Sequence, residues 1–259
     1  MLRNERQSIR FFVTMHKNAQ LPEGNPLFAA LGLGGFRPTT SLPVFTDDTG
    51  ASISHKNRHY SELTGWYWIW KNVRDLDIVG LCQYRRYFLL GTDFQSLAEL
   101  KIHFAPTVSN FAKILAPNII EFVDAAMTVA DVIVPRRQNL GMSIARQYMM
   151  VHRREDWDLF LQAVHENCPD LRDKTLWFDL ATEAHLYNMM IAPKAFFDSY
   201  MSQLFAVTSW MERQGPFPTE PYQCRVPSFV AERFFSLYLH ATRTRCFEVP
   251  VAILDETAF

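Results

Sequence analysis

Cysteine is scarce in this sequence, and long apolar runs are missing. The four cysteines among its 259 residues are scattered and form no CxxC pair, which argues against a zinc site or a disulfide framework. No stretch is long enough to span a bilayer, and residues 1–17 contain no apolar run of signal-peptide length. We therefore expect reduced thiols and a cytoplasmic protein.

An excess of charge of either sign is also missing. The chain has 26 basic and 27 acidic residues, so no overall electrostatic footprint for nucleic acid is present. Glycine is sparse as well, with 10 residues. The GLGG segment at 32–35 lacks both the GxGxxG order and the Lys-Ser/Thr ending, so it is not a phosphate-binding loop.

Apolar residues, in contrast, are plentiful and follow an alternating pattern of elements. Hydrophobic residues make up 48% of the chain, which supports a substantial core within one domain over 1–259. The stretch 21–43 is rich in Gly and Pro and is interpreted as a loop. The predicted elements are strand 9–15, helix 61–72, strand 77–83, a helical region 94–127, strand 131–135, helix 144–167, a strand, turn and helix over 186–200, helix 228–241 and strand 247–254. This alternation predicts an α/β fold.

The segment 47–88 is the most informative. It carries acids and amides, a helix-like run at 62–72 with four aromatic residues, and then a short buried strand that is followed by Gln83, Tyr84, Arg85 and Arg86. Ligands of open α/β sheets bind outside the carboxyl ends of strands. Arginine grips phosphate oxygens in pairs, so a diphosphate would fit here. In the alternative reading, one arginine forms a structural ion pair and the other lies in solvent.

Other polar groups follow predicted strands or lie on helices. The first strand ends near Thr14, His16 and Lys17, which suggests that a ligand edge begins there. Arg136 follows the strand 131–135, where a solvated strand end is an equally good interpretation.

Two residues late in the chain have both a functional and a structural interpretation. Asn188 could bind a sugar hydroxyl or cap a local turn. Glu232 lies among phenylalanines, so it could have a raised pKa and act as a base, or simply neutralise an arginine. His152 lies on a basic amphipathic helix, and a packed or solvated histidine is the simpler interpretation.

Six segments, in this order, resemble one family. They are VTMHK (13–17), the DDTG to WKN stretch (47–72), VGLCQYRRYF (79–88), DVIVPRR (131–137), YNMMIAPKAFFDSY (187–200) and SFVAERFFSLYL (228–239). Together they are similar to a bacterial capsular and exopolysaccharide biosynthesis domain that was long of unknown function and is described as a glycosyltransferase. The segments span nearly the whole chain.

The resemblance implies a GT-A-like, Rossmann-like fold with a mixed, mainly parallel sheet flanked by helices. It implies a nucleotide-diphosphate sugar donor and a glycan or lipid-linked glycan acceptor of a surface polysaccharide such as capsule, exopolysaccharide or O-antigen. Peripheral membrane contact would then use a basic aromatic face around 146–157.

The resemblance also implies roles for individual residues. Arg85 and Arg86 would neutralise the departing diphosphate, and Glu232 would deprotonate the acceptor hydroxyl. The expected nucleotide-sugar contacts are Thr14, His16, Lys17, Asp48, Asn57, Glu62, Gln83, Tyr84, Arg136 and Asn188.

The chain departs from the family pattern at one position, and it has QYRR where a strand of GT-A enzymes usually ends in a metal-binding DxD motif. The family commonly has HYRR where this chain has QYRR, so Gln83 replaces a titratable group with a neutral amide. That exchange is compatible with a positioning role and incompatible with a base or a metal ligand. If Mn²⁺ or Mg²⁺ is used, Asp47 and Asp48 are the candidate ligands, although adjacent acids in a turn are usually solvated.

Two other classes of function compete with a transferase. A non-catalytic nucleotide-sugar or glycan-binding protein would account for Gln83 and for the exposed aromatic faces. An RNA-binding module would use Tyr84 to Tyr87 as a stacking and phosphate surface. The near-zero net charge counts against RNA, so no nucleic-acid partner is expected.

Overall fold

The structure is a computed structural model that describes residues 7–96, 98–115 and 118–255. The strands in this part of the chain are β1 (Ile9–Met15), β2 (Phe28–Gly32), β3 (Val44–Thr46), β4 (Ile78–Gln83), β5 (Arg86–Phe88), β6 (Lys101–Phe104), β7 (Val132–Pro135), β8 (Gln138–Asn139), β9 (Glu183–Ala184), β10 (Met190–Pro193), β11 (Cys246–Val249) and β12 (Val251–Leu254).

Helices alternate with these strands over most of the chain. They are α1 (Asn57–Tyr60), α2 (Leu63–Asn72), α3 (Thr92–Gln95), α4 (Val108–Ile114), α5 (Ile119–Val129), α6 (Ile144–Val151), α7 (Arg154–Asn167), α8 (Pro169–Arg172), α9 (Thr175–Leu180), α10 (Lys194–Gln214) and α11 (Val226–Ala241). Short 3₁₀ turns at Ser54–Lys56 and Gln223–Arg225 precede α1 and α11. No helix in the described ranges is both long and apolar enough to cross a bilayer.

The central sheet is mixed and mainly parallel, which confirms the predicted fold class. Its main path runs β11-β7-β10-β4-β1-β2-β3, with β5, β6 and β12 attached at the side of β4. All neighbours on this path are parallel except β10, which is antiparallel to both β4 and β7.

Both faces of the sheet are covered by apolar layers, because side chains of a strand alternate between the faces. Phe12 and Leu81 pack into the layer that contains α2, α10 and α11. Phe11 and Cys82 pack into the layer on the opposite face, which includes α4 and α5. A strand covered on both faces has a nearly continuous apolar sequence, as β1 has apart from Arg10 and Thr14 and as β4 has up to Gln83.

Four predicted elements differ from the structure. Strand β2 lies inside the predicted 21–43 loop, and β6 lies inside the predicted helical region 94–127. The predicted helix 144–167 is two helices, because His152 and Arg153 are extended between α6 and α7. The predicted strand 247–254 is likewise divided into β11 and β12.

The fold brings the carboxyl ends of β1, β2 and β4 together at one edge of the sheet. Helix α2 packs very close to this edge, since a Cβ at Gly65 would lie 2.7 Å from Leu33 Cδ2 and 3.4 Å from Thr14 Cγ2. The amino-terminal half of α11 faces the same edge and contributes side chains to it. Parallel pairing therefore creates the concave edge where a ligand is expected.

Candidate active site

A cavity of about 740 Å³ lies at the carboxyl ends of β1 and β4. Its walls come from both strand ends, from α1 and the turn after it, and from α6 and α11. Nine residues predicted from the sequence line it: Thr14, His16, Asn57, Glu62, Gln83, Tyr84, Arg85, Arg86 and Glu232. The structure therefore brings together groups that are more than 200 residues apart in the chain.

Arginine dominates the charge of this cavity. Arg85 and Arg86 are joined by three arginines that the sequence reasoning did not select, Arg58, Arg225 and Arg233. Two carboxylates, Glu62 and Glu232, also line the wall. Five arginines against two glutamates leave an excess of three positive charges, which suits a polyanionic ligand.

Gln83 holds Arg86 in place through a chain of hydrogen bonds. The Arg86 Nη1 group donates to Gln83 Oε1 over 2.7 Å, and Gln83 Nε2 donates to the Tyr187 carbonyl over 2.8 Å. The guanidinium also lies 5.2 Å from the centre of the Tyr187 ring. One donor and one acceptor are needed at position 83, and an amide supplies both without a charge. Gln83 is thus a positioning residue in this geometry.

The backbone beside this hydrogen-bond chain is strained. Tyr187 and Asn188 have φ values of 81° and 49°, and Ser61, which precedes the Asn188 partner Glu62, has 47°. Residues other than glycine rarely adopt positive φ values, so surrounding contacts must maintain this backbone conformation. Such outliers cluster at functional sites, so the three residues mark this wall of the cavity.

Glu62 is held in the cavity wall by two neighbours. Its Oε1 accepts hydrogen bonds from Asn188 Nδ2 and from Ser228 Oγ, the latter over 3.0 Å. Asn188 itself is buried and supports Glu62 from behind the wall. The predicted sugar-orienting role of Asn188 stays a prediction, but its observed contact is with a carboxylate of the site.

Burial and neighbouring charges act in opposite directions on the pKa of Glu232. Its Oε1 accepts the Tyr187 N–H over 3.2 Å, and its Oε2 accepts Arg233 Nη1 over 2.9 Å. Burial raises the pKa of Glu232 above 4.5, an effect that the Arg233 charge opposes and the Glu62 charge reinforces. A carboxylate with a raised pKa is a stronger base, and this one faces the cavity.

An aromatic wall closes the cavity on the side of α6. The His152 ring stacks on Phe229 at 3.9 Å between centroids, and the Tyr222 ring lies 5.9 Å from His152 and 5.1 Å from Phe229. Arg225 lies 4.9 Å from the centre of the Tyr222 ring. Burial lowers the pKa of His152 to about 4, so the ring is neutral at physiological pH. The packed histidine predicted from the sequence is observed, but within the site.

Thr14 and Asn57 line the cavity while serving the local structure. Thr14 Oγ1 donates to the Cys82 carbonyl over 3.1 Å and so ties the ends of β1 and β4 together. Asn57 Nδ2 donates to the Ser61 carbonyl over 2.9 Å. The bond supports the turn in which Ser61 takes its strained conformation. Their contact with a ligand remains a prediction.

Besides Asn188, three predicted contacts are not part of the wall of this cavity. Lys17 lines a neighbouring cleft, with its ammonium 5.8 Å from the centre of the Tyr84 ring. Arg136 donates to the carbonyls of Gln95 and Glu99, so its guanidinium ties down the loop before β6. Asp48 forms an ion pair of 2.7 Å with Arg37 at the surface. The observed partners of Arg136 and Asp48 thus lie elsewhere, and contact of either side chain with a ligand stays a prediction.

Asp47 and Asp48 do not fit a metal site. Asp47 is fully buried rather than solvated, and it accepts hydrogen bonds from Gly34 N–H, Ser54 Oγ and Thr64 Oγ1. These donors occupy the oxygens that a metal would need. In the described residues, no group of three or more His, Cys, Asp or Glu side chains is arranged to hold a metal. A metal requirement stays a prediction without assigned ligands.

Three of the residues missed by the sequence reasoning have a common origin. Ser228, Phe229 and Arg233 share one face of α11 with Glu232, because residues three or four positions apart are neighbours on a helix. That spacing was readable once Glu232 had been chosen. Arg58 and Arg225 carry no such local signal, since tertiary contacts alone bring them to the cavity.

Comparison with known proteins identifies relatives of the whole described region. The model of a domain of unknown function, DUF4422, matches residues 10–243. No curated protein matches the chain. A solved structure described as the apo form of the WbbM bifunctional glycosyltransferase superposes with a TM-score of 0.86 at 22% identity. The match covers 98% of this chain but 46% of that one, so this chain spans less than half of the length of that protein. At this identity, the likeness shows a shared fold.

Proposed function

The chain belongs to the DUF4422 family, and we propose that it is a glycosyltransferase that uses a nucleotide-diphosphate sugar. Its fold is shared with part of a protein described as a bifunctional glycosyltransferase. The acceptor in this proposal is a glycan or a lipid-linked glycan of a surface polysaccharide, reached at the cytoplasmic side of the membrane.

One observation carries the proposal, namely the cationic cavity at the carboxyl edge of the sheet. Its five arginines exceed its two glutamates, and four of the five come from outside the α11 face. A diphosphate presents several anionic oxygens that paired guanidinium donors match in geometry. Departure of a nucleoside diphosphate develops negative charge, which positioned cations stabilise where water is partly excluded.

The individual roles follow from the contacts. Arg85 and Arg86 contact the diphosphate, and Gln83 keeps the Arg86 guanidinium oriented through its 2.7 Å bond. Glu232 accepts the proton of the acceptor hydroxyl, while the sugar carbon–oxygen bond to the diphosphate breaks and a new bond to the acceptor oxygen forms. Glu62, held by Asn188 and Ser228, contacts the donor sugar hydroxyls.

No catalytic step in this proposal passes through a metal ion. The charge of the leaving diphosphate is assigned to the arginines, since Asp47 and Asp48 are committed to protein partners. Measurements with and without Mn²⁺ or Mg²⁺ test the predicted metal requirement independently of this assignment.

Ligand-dependent thermal stability is the first test. The chain is heated with UDP-, GDP-, CMP- and dTDP-sugars, each with and without Mn²⁺ or Mg²⁺, because a ligand of the native state raises Tm. We expect a rise with one nucleotide class that is lost in Arg86→Ala. Arg245→Ala is the matched control, since Arg245 forms a surface pair with Asp131 far from the cavity.

Turnover then separates the proposal from its competitor. The donor that raises Tm is incubated with the protein and glycan acceptors, and mass spectrometry measures the elongated glycan and the released nucleotide. Transfer supports the enzyme. Binding without any product would indicate the non-catalytic nucleotide-sugar-binding protein, and no Tm rise with any donor would overturn both readings of this cavity.

A further inference from the structure

A second cavity, of about 710 Å³, lies at the carboxyl-terminal end of α11. It is formed by α9, by the segment around β9, and by the strand β11 with the turn before it. None of its lining residues belongs to the first cavity. Three features of this cavity indicate the chemistry of its ligand.

First, the second cavity presents an exposed aromatic platform. The Trp177 side chain is 41% exposed, and its indole stacks on the His240 ring at 3.3 Å and 9°. One face of the indole is thus backed by imidazole, while exposed area remains on a ring that lines a cleft. A pyranose has an apolar C–H face that packs on such a ring, whereas its hydroxyls stay available for hydrogen bonds.

Second, the charges of this cavity are balanced and locally paired. Arg137 lies 2.7 Å from Glu248 and 3.7 Å from Glu183, and Arg243 is the second arginine in the wall. Two arginines therefore face two glutamates, which leaves no cationic excess for a phosphate. Paired charged groups still offer hydrogen-bond donors and acceptors to a neutral ligand.

Third, a buried histidine offers an acceptor toward the cleft. His185 is 6% exposed, and its Nδ1 lies 2.7 Å from the Pro135 carbonyl, to which it must donate. The neutral ring then carries an acceptor at Nε2, whose nearest carboxylate oxygen, on Glu248, is 3.8 Å away. Burial lowers the pKa of His185 and keeps the ring neutral. A hydroxyl donor would complete this group.

The two cavities are linked by the chain itself. Glu232 in the first cavity and His240 in the second are eight residues apart on α11, or about 12 Å along the helix axis. His185 lines the second cavity, and two residues later the Tyr187 carbonyl accepts a hydrogen bond from Gln83 in the first cavity. This separation suits successive sugar units of one extended glycan.

We propose that the second cavity binds a neutral, hydroxyl-rich sugar unit of the acceptor glycan, stacked on Trp177. This inference rests on the proposed transferase function, since it assigns the bound sugar to the acceptor. The cavity is a binding subsite and takes no part in bond breaking.

Indole N–H resonances of ¹⁵N-labelled protein test the inference directly, and the Trp177 signal among the six tryptophans is assigned by its loss in Trp177→Phe. The probes are methyl glycosides of glucose, galactose, mannose and N-acetylglucosamine, with lactose, cellobiose and glucuronate, each at millimolar concentration. We expect at least one neutral glycoside to shift the Trp177 resonance and glucuronate to act more weakly. Calorimetric titration with the same glycoside, which does not depend on the Trp177 signal, should show binding about tenfold weaker in Trp177→Ala and mostly retained in Trp177→Phe.

Leu176→Ala is the matched control, because Leu176 is 72% exposed beside Trp177 but does not line the cavity. It should leave glycoside binding unchanged. If no neutral glycoside moves the Trp177 resonance, the inference is overturned. It is also overturned if vesicles of phosphatidylglycerol and phosphatidylcholine move that resonance instead and Leu176→Ala weakens their binding as much as Trp177→Ala does, since the face is then a lipid contact.

The same variants distinguish this failure from failure of the proposed function. If nucleotide sugars still raise Tm in Trp177→Ala but no glycoside binds the protein, the acceptor subsite is overturned while the transferase proposal is still supported. Glycoside binding at Trp177 without any nucleotide-sugar effect would establish a sugar-binding cavity and contradict its assignment to an acceptor of transfer.

Discussion

The two cavities flanking α11 differ in charge although one helix serves both. The first holds five arginines against two glutamates, and the second holds two of each. Both contain a buried, neutral histidine and stacked aromatic rings. The contrast teaches that charge balance, more than shape or aromatic content, separates a site for a phosphorylated donor from a site for a neutral sugar.

The difference arises from how acids are placed beside the arginines. In the second cavity Arg137 is neutralised by Glu248 on the adjacent strand, with Glu183 nearby. In the first cavity Arg86 is held by a neutral amide, Gln83, so its charge stays available. A positioning group without charge orients a cation and leaves its field intact.

The largest expected effect comes from removing the base. Glu232→Gln should lower kcat about 1000-fold, because the acceptor hydroxyl loses its proton acceptor while the side chain keeps its shape and one of its two acceptor oxygens. Wild-type kcat should fall on the acidic side with a midpoint above pH 4.5, since burial raises the pKa of Glu232. Glu248→Gln in the second cavity should act on the acceptor KM instead. A full rate in Glu232→Gln would end the base assignment.

The next effect tests the cationic side of the contrast. Arg85→Ala and Arg86→Ala should each lower kcat about 100-fold or more, because each removes a donor aimed at the leaving diphosphate. Rates are measured with saturating donor, and the Tm without ligand should stay close to wild type since both residues are only half-buried. If Arg85→Ala and Arg86→Ala were both as fast as the Arg245→Ala control, the proposed contact of these two arginines with the diphosphate would be wrong.

A smaller effect is expected at the residue that positions Arg86. Gln83→Ala should lower kcat about tenfold, because the Arg86 guanidinium loses its anchor but keeps its charge. Gln83→His should recover most of this loss, since a neutral imidazole also offers one donor and one acceptor. An unchanged Gln83→Ala enzyme, or an inactive Gln83→His enzyme, would show that the observed chain of hydrogen bonds is not what orients Arg86.

The buried histidine of the first cavity should appear in stability rather than in rate. The pKa of His152 falls from 6.5 to about 4 in the folded chain, so its stabilisation is complete above pH 6.5 and declines as the pH drops toward 4. In His152→Gln the free energy of unfolding should change less between pH 6.5 and pH 4, by on the order of 2 kcal/mol. This figure is reduced for the partial contact of the ring with solvent. Denaturant unfolding at several pH values measures it, and an unchanged slope would contradict the neutral ring.

The smallest expected effect is a difference between the two cavities in how strongly ligand affinity depends on salt concentration. Binding of a nucleotide-diphosphate sugar should weaken several-fold as ionic strength rises, because screening acts on the arginine–phosphate attraction. Binding of a neutral glycoside at Trp177 should change little over the same range. Calorimetric titrations at two salt concentrations measure both affinities. An equal dependence on salt would contradict the proposed difference between the cavities.

Much of the fold was readable because buried strands have a plain local signature. β1, β4 and β7 are short apolar runs, and each lies where the sequence predicts a strand. β2 was missed because its five residues adjoin a glycine-rich stretch and are held by parallel pairing with β1 and β3. The break at His152 carries neither proline nor glycine, so tertiary packing of its ring imposes it.

The site was readable in part for a similar reason. Gln83, Tyr84, Arg85 and Arg86 follow a buried strand, and topology alone places such residues at a ligand edge. Arg136 also follows a buried strand, yet it binds carbonyls before β6. Local sequence could not separate the two cases, because the partner of Arg136 is decided by the packing of a segment 40 residues earlier.

The sequence by itself determined which segments are buried strands and that paired arginines emerge from one of them, since apolar patterning and charge are local properties. Only the tertiary structure decided which distant groups meet there. Arg58, Arg86 and Arg225 converge through long-range contacts, and Asp47 is buried among donors rather than exposed to a metal. The physical reason is that a cavity's charge is the sum over residues that chain folding brings together, and no short stretch contains that sum.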